Sequence, residues 1–337
     1  MRDYARVATA ESRAKQLDRG GFTSLMYAAR ENCRGCVDAL LDAHADLTLS
    51  DPVDMGPLHV ALLNANWDLA KQLIEAGADV DQWDRFGQGP LNVAITNMNL
   101  RDGGNPLDQN QPNVASGRDV VKLLVERGAN PNQQLYYKAP ARAFLGADTG
   151  RGTTPFLSAC AQGDLEVVKL LLAHGANIRL ATSDAQGPII LATGSRSGGT
   201  GMPLSRVAGV GANAIPLQPD ADAPVEVKEA RTIELLRFLA ANGADMNLMS
   251  KPHYLQRTRG GSAMHYAVRS GSAAIMQALH ELGVDVNAKD EDGLTALDYA
   301  KGREFVGFLY TAKGPRPALE ALLRSWGANI EASETPN

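Results

Sequence analysis

The residues most able to do chemistry in this 337-residue sequence are three cysteines and six histidines. Cys33 and Cys36 form a C-x-x-C motif, and Cys160 is the third cysteine. A structural zinc site made of thiolates needs about four ligands, so the cysteine count excludes one. The motif also suits thiol–disulfide chemistry, but a site of the thioredoxin type belongs near a βαβ unit. The sequence instead places these cysteines at a turn between two predicted helices.

The two cysteines of the motif are interpreted as packing residues. Cys36 falls where other copies of a recurring segment, described below, have Val120 or Val167, and that position is predicted to be apolar and buried. Free cysteine behaves as a small hydrophobic residue in such places. Two alternatives stay open: a local disulfide between Cys33 and Cys36 in an oxidising compartment and, after it, a catalytic role.

Other catalytic motifs are missing from the sequence or incomplete. It has no H-E-x-x-H zinc motif, and no set of serine, histidine and aspartate stands out. The glycine-rich stretch that begins at Gly194 lacks the G-x-x-x-x-G-K-[ST] order of a phosphate-binding loop. Asp290, Glu291 and Asp292 are predicted to form a solvated turn. We therefore predict that the protein is not an enzyme and has no catalytic residue, metal site or cofactor.

A recurring segment shows which elements carry these residues. The stretch GFTSLMYAAR from Gly21 returns as MGPLHVAL, QGPLNVAI, TTPFLSAC, QGPIILAT, GSAMHYAV and LTALDYAK. The helix-start residues of the seven copies are Thr23, Gly56, Gly89, Thr154, Gly187, Ser262 and Thr295. Four of the six intervals between them are 33 residues, which chance does not supply, and the other two are 65 and 75. Threonine or serine at this place can cap a helix, and a proline after it suits the first turn.

A second signature follows the first by 21 residues in the regular copies. Gly77-Ala78-Asp79, Gly175-Ala176-Asn177 and Gly283-Val284-Asp285 stand at that offset, after amphipathic helical patterns such as DLAKQLIEA. The glycine suits the left-handed end of a helix, and His44 replaces it in the first copy, where we expect strain. Each copy is therefore predicted to be a pair of helices that must stack on the next pair to bury its apolar face.

A 33-residue period with a motif of the type T-P-L-H-x-A resembles the ankyrin repeat. The resemblance implies an all-α solenoid of about seven helix-turn-helix units joined by β-hairpin loops. We expect a lead or partial cap over residues 1–18 and a repeat array over 19–337, with repeats starting near 19, 52, 85, 150, 183, 258 and 291. The resemblance also implies that His59 and His265 form structural hydrogen bonds that join neighbouring hairpins.

Four segments interrupt the repeats, near residues 97–116, 134–152, 194–226 and 303–316. Loops accept insertions at little cost, so these segments are interpreted first as tolerated surface loops. The alternative is that Tyr136 and Tyr137, with Arg142 and Phe144, form part of a binding surface, because exposed aromatic side chains beside cations are typical of interfaces.

The ankyrin resemblance implies a protein partner that is held on a concave face, by the hairpin tips and the exposed side of the first helices. In this sequence the residues at one such tip are Trp83, Arg85, Phe86 and Gln88. A hairpin tip needs no tryptophan in order to fold, and tryptophan, arginine and phenylalanine are favoured at interfaces. The other candidate binding residues are Met55, Tyr136, Tyr137, Arg151 and Arg259. The competing interpretation is that Trp83 and Phe86 only pack against the next hairpin.

The composition and the first residues limit the class of partner and the cellular compartment that we expect. The net charge is −5 and the pI about 5.7, so the chain has no basic stripe and nucleic acid is not the expected partner. No apolar run reaches the length of about 20 residues that a membrane span needs, and we expect a monomer. The first residues lack the apolar core of a signal peptide, which favours the cytoplasm. If the chain is the carboxyl part of a longer array, export is expected instead.

These observations predict a non-catalytic scaffold for protein–protein interaction. The interrupted repeats look similar to those of bacterial ankyrin proteins, some of which are exported. Two alternatives follow from that resemblance and from the insertions: a structural segment of a longer exported array, and an enzyme or ligand-binding protein whose site the insertions build.

Overall fold

The computed structural model describes residues 21–99, 112–136, 151–194, 223–251, 260–303 and 314–328. Within these ranges the regular secondary structure is helical. The helices are α1 (Ser24–Arg30), α2 (Arg34–Asp42), α3 (Pro57–Leu63), α4 (Trp67–Glu75), α5 (Pro90–Asn97), α6 (Gly117–Glu126), α7 (Pro155–Gln162), α8 (Leu165–Ala173), α9 (Pro188–Gly194), α10 (Val225–Ala241), α11 (Ala263–Ser270), α12 (Ala273–Glu281), α13 (Ala296–Ala300) and α14 (Pro317–Ser325). The connections in the same ranges contain isolated antiparallel bridges, Ser250 with Gly261 and Lys289 with Thr295.

The first helix of each predicted repeat begins where the sequence indicates. Thr23 caps α1 by accepting the Met26 N–H at 3.2 Å, and Thr154 accepts the Leu157 N–H at 3.1 Å. Gly56 offers no side-chain cap to α3, which has a proline in its first turn instead. The predicted helical hairpins are therefore observed, with or without the capping hydroxyl.

The chain divides into two compact units. In the first unit, α1 packs against α2 and α3, α3 packs against α4 and α5, and α6 packs against both α4 and α5. In the second unit, α9 packs against α10 and α11, α12 packs against α10 and α11, and α13 packs against α11 and α14. Helices α7 and α8 have residues in both units. Each unit is thus a stack of helical hairpins in which first helices touch first helices.

One alanine recurs five residues after every helix-start residue and is buried in all seven copies. These alanines are Ala28, Ala61, Ala94, Ala159, Ala192, Ala267 and Ala300. A side chain of this size lets successive first helices approach closely, and larger apolar side chains such as Trp67 and Phe156 fill the space around them. The core is therefore continuous along each stack, as the repeat pattern requires.

The second helices end in the left-handed conformation that the glycine signature predicts. Gly77 has a φ of 94° and Gly175 a φ of 88°, and His44 occupies the same place in the first copy with a φ of 58°. A residue with a Cβ atom costs about 1–2 kcal/mol in this conformation. The predicted strain at His44 is confirmed by its φ.

Candidate functional site

A buried aspartate organises the hairpin tip that carries most of the predicted site residues. The Oδ1 atom of Asp84 accepts the backbone N–H of Phe86 at 2.9 Å and that of Gln88 at 2.8 Å, and its Oδ2 accepts the Gln88 side-chain amide at 3.0 Å. The Asp84 N–H donates to the Gln88 carbonyl at 3.0 Å, which closes the turn. Burial raises the pKa of Asp84 to about 6, although these hydrogen bonds act in the opposite direction. The turn is thereby fixed without any contribution from Trp83.

Backbone hydrogen bonds connect each tip to its neighbour. The Arg85 N–H donates to the Val53 carbonyl at 2.9 Å, and the Tyr136 N–H donates to the Phe86 carbonyl at 2.9 Å. The second of these bonds brings Tyr136, from the far side of repeat three, to the tip that carries Trp83.

His59 ties the helix below to the same tip. Its Nδ1 atom accepts the Gly56 N–H at 3.4 Å, so the proton lies on Nε2, which donates to the Gln88 carbonyl at 2.9 Å. Burial lowers the pKa of His59, which keeps the ring neutral. The predicted structural role of this histidine is confirmed, and the tip is anchored both to the helix beneath it and to the next tip.

Two aromatic side chains lie side by side on this frame, and we call Trp83 and Tyr136 the aromatic patch. Each is 48% exposed, and their ring centroids are 5.2 Å apart with the planes tilted by 51°. Gly87 leaves room for Tyr136, because a Cβ atom there would lie 2.9 Å from both the Tyr136 ring and its backbone nitrogen. The patch is therefore an exposed apolar surface held at a fixed place by the surrounding turn.

Phe86 does not belong to this surface, and its prediction as an exposed anchor is wrong. The side chain is only 5% exposed, so Phe86 is a packing residue, which agrees with the competing interpretation that it packs against a neighbouring hairpin. Trp83 is half exposed and its ring contacts that of Tyr136, so its predicted place in a binding surface stays a prediction. The two aromatic residues of one tip thus have different roles.

The other predicted residues within the described ranges lie on this tip, on the preceding tip and beside Gly152. Arg85 is half-buried, and its Nη2 atom donates to the Pro52 carbonyl at 2.7 Å. Met55 is half-buried on the preceding tip, and its N–H donates to Asp51 at 2.9 Å. Arg151 is exposed, next to Gly152. Gln88 supports the tip that carries Trp83 through its bonds to Asp84.

Tyr137 and Arg259 lie outside the described residues, so their predicted places in the site stay predictions. Arg142 and Phe144 lie outside them as well.

Sequence reasoning missed a second cluster, in which residues 112–116 cross the start of α4, and we call these residues the strap. The Asp68 carboxylate accepts the backbone N–H of Val114 at 2.8 Å and that of Ala115 at 2.7 Å. The Asn113 side chain accepts the Asp68 N–H at 3.1 Å and donates to the Ala65 carbonyl at 2.9 Å. The end of the insertion near 97–116 is therefore tied into the array, and this part of it is more than a tolerated surface loop.

Arg34 joins the strap to the C-x-x-C motif. Its Nη2 atom lies 2.8 Å from Asp68 Oδ2 and donates to the Pro112 carbonyl at 3.3 Å. No repeated feature of the sequence signals this contact, because the strap belongs to a segment that occurs in one repeat alone.

Cys33 and Cys36 form a disulfide, with their Cα atoms 5.2 Å apart. The interpretation of Cys36 as a packing residue is wrong, because Cys36 is exposed and Val37 is the fully buried residue at this point of α2. Cys33 takes the N-cap position of α2, and Cys36 is the third residue of that helix. Cys160 is a free, fully buried thiol, and burial raises its pKa.

The described residues include no group of three or more histidine, cysteine, aspartate and glutamate side chains that could hold a metal ion. No helix within the same ranges has the length and apolar character of a membrane span.

Comparison with known proteins agrees with the fold. Three family models match the chain: ankyrin repeats in 3 copies over residues 25–135, an ankyrin repeat over 151–183, and ankyrin repeats in many copies over 239–300. A crystal structure of the human ASB11 ankyrin repeat domain is similar, with a TM-score of 0.52 at 18% identity, over 94% of this chain and 100% of that one. This likeness establishes the fold alone. The comparison with curated proteins gives no match.

Proposed function

Because the chain is an ankyrin-repeat protein, we propose that it is a non-catalytic scaffold that binds a protein partner through the aromatic patch of Trp83 and Tyr136. Ankyrin repeats are generally protein–protein interaction modules, and the family and fold are typically non-enzymatic. The fold alone names neither the partner nor the surface, so those must be argued from the residues.

The observation that carries the proposal is the half exposure of both patch residues on a turn that does not need them. Asp84 and His59 hold the tip through hydrogen bonds, and Phe86 fills the core beneath it. Tryptophan and tyrosine are enriched among the residues that contribute most to binding energy at interfaces. Leaving a large apolar surface in water gains nothing for folding, so a contact with another protein accounts for its presence.

The surroundings of the patch favour a preformed binding surface. Tyr136 is fixed by its backbone bond to Phe86 and by close contact at Gly87, so little side-chain freedom is left to lose on binding. Surfaces ordered in advance lose less entropy on association. Arg151 and Gln134 are exposed close to Tyr136 in the fold and supply a polar rim to an apolar centre.

The proposal extends to partner class and assembly. The net charge of −5 supports a protein partner rather than nucleic acid, whose phosphates attract basic surfaces. We propose a monomer that presents one patch to one partner.

Affinity capture from a lysate of the source tests the proposal, with wild-type protein compared to the double variant Trp83→Ala, Tyr136→Ala. The matched control is Tyr27→Ala, which removes an aromatic side chain of the same 48% exposure from α1. We expect the captured protein to be lost with the double variant and retained with the control, while both variants keep the helical content and the cooperative melting of a folded protein.

Titration with the purified captured protein then measures the contribution of the patch. Residues at the centre of an interface contribute at least about 2 kcal/mol, so Trp83→Ala alone is expected to raise Kd by about 30-fold or more. Equal Kd values for Trp83→Ala, Tyr27→Ala and wild type would contradict the aromatic patch as the binding surface.

A further inference from the structure

We propose that the disulfide between Cys33 and Cys36 is a thiol–disulfide exchange site, which is reversibly opened by small thiols such as glutathione. This inference is independent of the partner-binding proposal, because it rests on different residues and a different reaction. It concerns the turn between α1 and α2, where the motif opens the second helix of the first repeat.

The first support is access to sulfur. Cys36 is exposed and Cys33 is half-buried, so an incoming thiolate can reach the Cys36 sulfur from solvent. Exchange requires such direct attack on one sulfur along the line of the bond that breaks. The sulfur of Cys160, in contrast, is not accessible to a thiolate in solution, because its side chain is fully buried.

The second support is the position of the other sulfur, which must leave as a thiolate. Cys33 is the N-cap residue of the nine-residue helix α2, and the first turn of that helix contains no acidic side chain. Backbone N–H groups at a helix start are unpaired within the helix, and they stabilise a negative charge at the N-cap. Thiolates at helix starts have a lowered pKa and leave more readily. Access therefore favours attack at Cys36, and charge stabilisation favours departure of Cys33.

The reaction proceeds in two balanced steps. The first thiolate forms a bond to the Cys36 sulfur, the bond between the two cysteine sulfurs breaks, and Cys33 takes the electron pair as a thiolate. A second thiolate then bonds to the sulfur of the first thiol, and Cys36 leaves with the electron pair. Two thiols are oxidised to one disulfide, the protein disulfide is reduced to a dithiol, and the protons released by the attacking thiols end on Cys33 and Cys36.

The third support is that the surrounding contacts hold the dithiol in place for re-oxidation. Arg34, between the two cysteines, is tied to Asp68 at 2.8 Å and to the Pro112 carbonyl at 3.3 Å. The Cys33 N–H donates to the Ala28 carbonyl at 3.0 Å, and the Val37 N–H donates to the Cys33 carbonyl at 3.0 Å. These bonds do not depend on the sulfur atoms. Both cysteines therefore stay near each other after reduction, and the disulfide can form again.

Alkylation of the native full chain over a series of glutathione to glutathione-disulfide ratios tests the proposal, with intact mass as the measurement. We expect a gain of two alkyl groups as the ratio rises and the loss of that gain when oxidised glutathione is restored. Cys160 is expected to react only after denaturation. A count of native thiols that stays constant across the series, or three free thiols in the oxidised protein after denaturation, would overturn the proposal.

Single-cysteine variants test the assigned role of Cys33. Cys36→Ser leaves Cys33 at the N-cap, and Cys33→Ser leaves Cys36 one turn into the helix with a serine that caps well. The alkylation rate of Cys33 is expected to rise at lower pH than that of Cys36, with about a tenfold faster rate near pH 7. Superimposable pH profiles in two variants that melt alike would show that Cys33 is not the stabilised thiolate.

Discussion

Two hairpin tips, built around Asp84 in the first unit and Asp290 in the second, have the same frame and different surfaces. In each, the aspartate Oδ1 accepts two backbone N–H groups, from Phe86 and Gln88 in one tip and from Asp292 and Leu294 in the other. A histidine reaches each tip from the helix below, His59 to the Gln88 carbonyl and His265 to the Leu294 carbonyl. The hydrogen bonds that fix the turn are thus equivalent.

The side chains carried by the two frames differ. The first tip presents Trp83 beside Tyr136 and buries Phe86, whereas the second has exposed Lys289 and Asp292 at the corresponding places. Asp290 directs its other oxygen to the Tyr299 hydroxyl at 2.8 Å, which ties that tip to its own helix. The comparison teaches that the repeat determines the backbone and leaves the side chains between its fixed positions free to differ from one tip to the next.

The largest difference between the tips is expected at the residue two places after the aspartate. Phe86→Ala removes a buried aromatic side chain and is expected to destabilise the first unit by about 3–5 kcal/mol. Asp292→Ala changes an exposed residue and is expected to cost about 0.5 kcal/mol or less. Urea unfolding followed by circular dichroism measures both. Similar effects of the two substitutions would contradict the assignment of Phe86 to the core.

The next difference is expected one residue further on, where both tips have a glycine in the left-handed conformation. Gly293 has a φ of 78° and open space around it, so Gly293→Ala is expected to cost about 1–2 kcal/mol for the backbone alone. Gly87 has a φ of 80° and lies against Tyr136, so Gly87→Ala is expected to cost about 1–3 kcal/mol more.

The difference between the two glycine variants measures how firmly Tyr136 packs on its tip. Gly87→Ala is also expected to weaken partner binding, because it displaces one member of the aromatic patch. Equal losses of stability would mean that Tyr136 moves away without cost, and the patch would not be preformed.

The two histidines are expected to respond alike to pH. Burial lowers the pKa of His59 and of His265 from the ordinary value of 6.5. Below that pH the unfolded chain binds protons that the folded chain does not, so the stabilisation present above pH 6.5 is lost as the pH falls towards the folded-state pKa values. The loss is up to about 1.4 kcal/mol per pH unit for each histidine.

Thermal or urea unfolding between neutral and mildly acidic pH measures this loss of stability. In the first tip Asp84, whose pKa burial raises to about 6, binds a proton in the folded state over the same range and opposes the loss, so the effect of each histidine is taken from the difference between its variant and the wild type. His59→Gln and His265→Gln are each expected to make the dependence on pH shallower, by similar amounts. A steep change in one variant and none in the other would break the equivalence of the two frames.

The helices and the histidine bonds could be predicted from the sequence because they recur. The helix-start residues mark α1, α3 and α5, and the alanine five places later is buried in every copy. The aspartates that organise the tips also recur in the sequence, since Asp51 and Asp84 are 33 residues apart and Asp290 lies five residues before Thr295. The prediction of a solvated turn is wrong for Asp290, which is buried and accepts hydrogen bonds from Asp292, Leu294 and Tyr299.

The exposed ring of the first tip and the contacts of the strap could not be predicted, because both depend on segments that do not recur. Trp83 and Phe86 are three residues apart in the sequence. Which of their rings is exposed depends on the packing of the tip and on the contact with Tyr136, a residue that follows the insertion near 97–116. Contacts of the strap with Asp68 and Arg34 join positions that no period relates. The exposure of Cys36 has no counterpart in the regular copies, because Val167, which is also the third residue of its helix, is buried.

The smallest expected effect comes from a third tip, where Thr182 replaces the aspartate and Ala185 replaces the glycine. Thr182 Oγ1 accepts the Gln186 N–H at 3.1 Å, and Ala185 has a φ of 55°. Ala185→Gly relieves about 1–2 kcal/mol of backbone strain, partly offset by about 0.4–1 kcal/mol from the added freedom of the unfolded chain. A net stabilisation of about 0–1.6 kcal/mol is expected, measured by urea unfolding. Ala181→Gly, where φ is not positive, is the matched control and should destabilise. If both glycine variants lost stability, the left-handed position at Ala185 would carry no strain, and this tip would not share the frame of the other two.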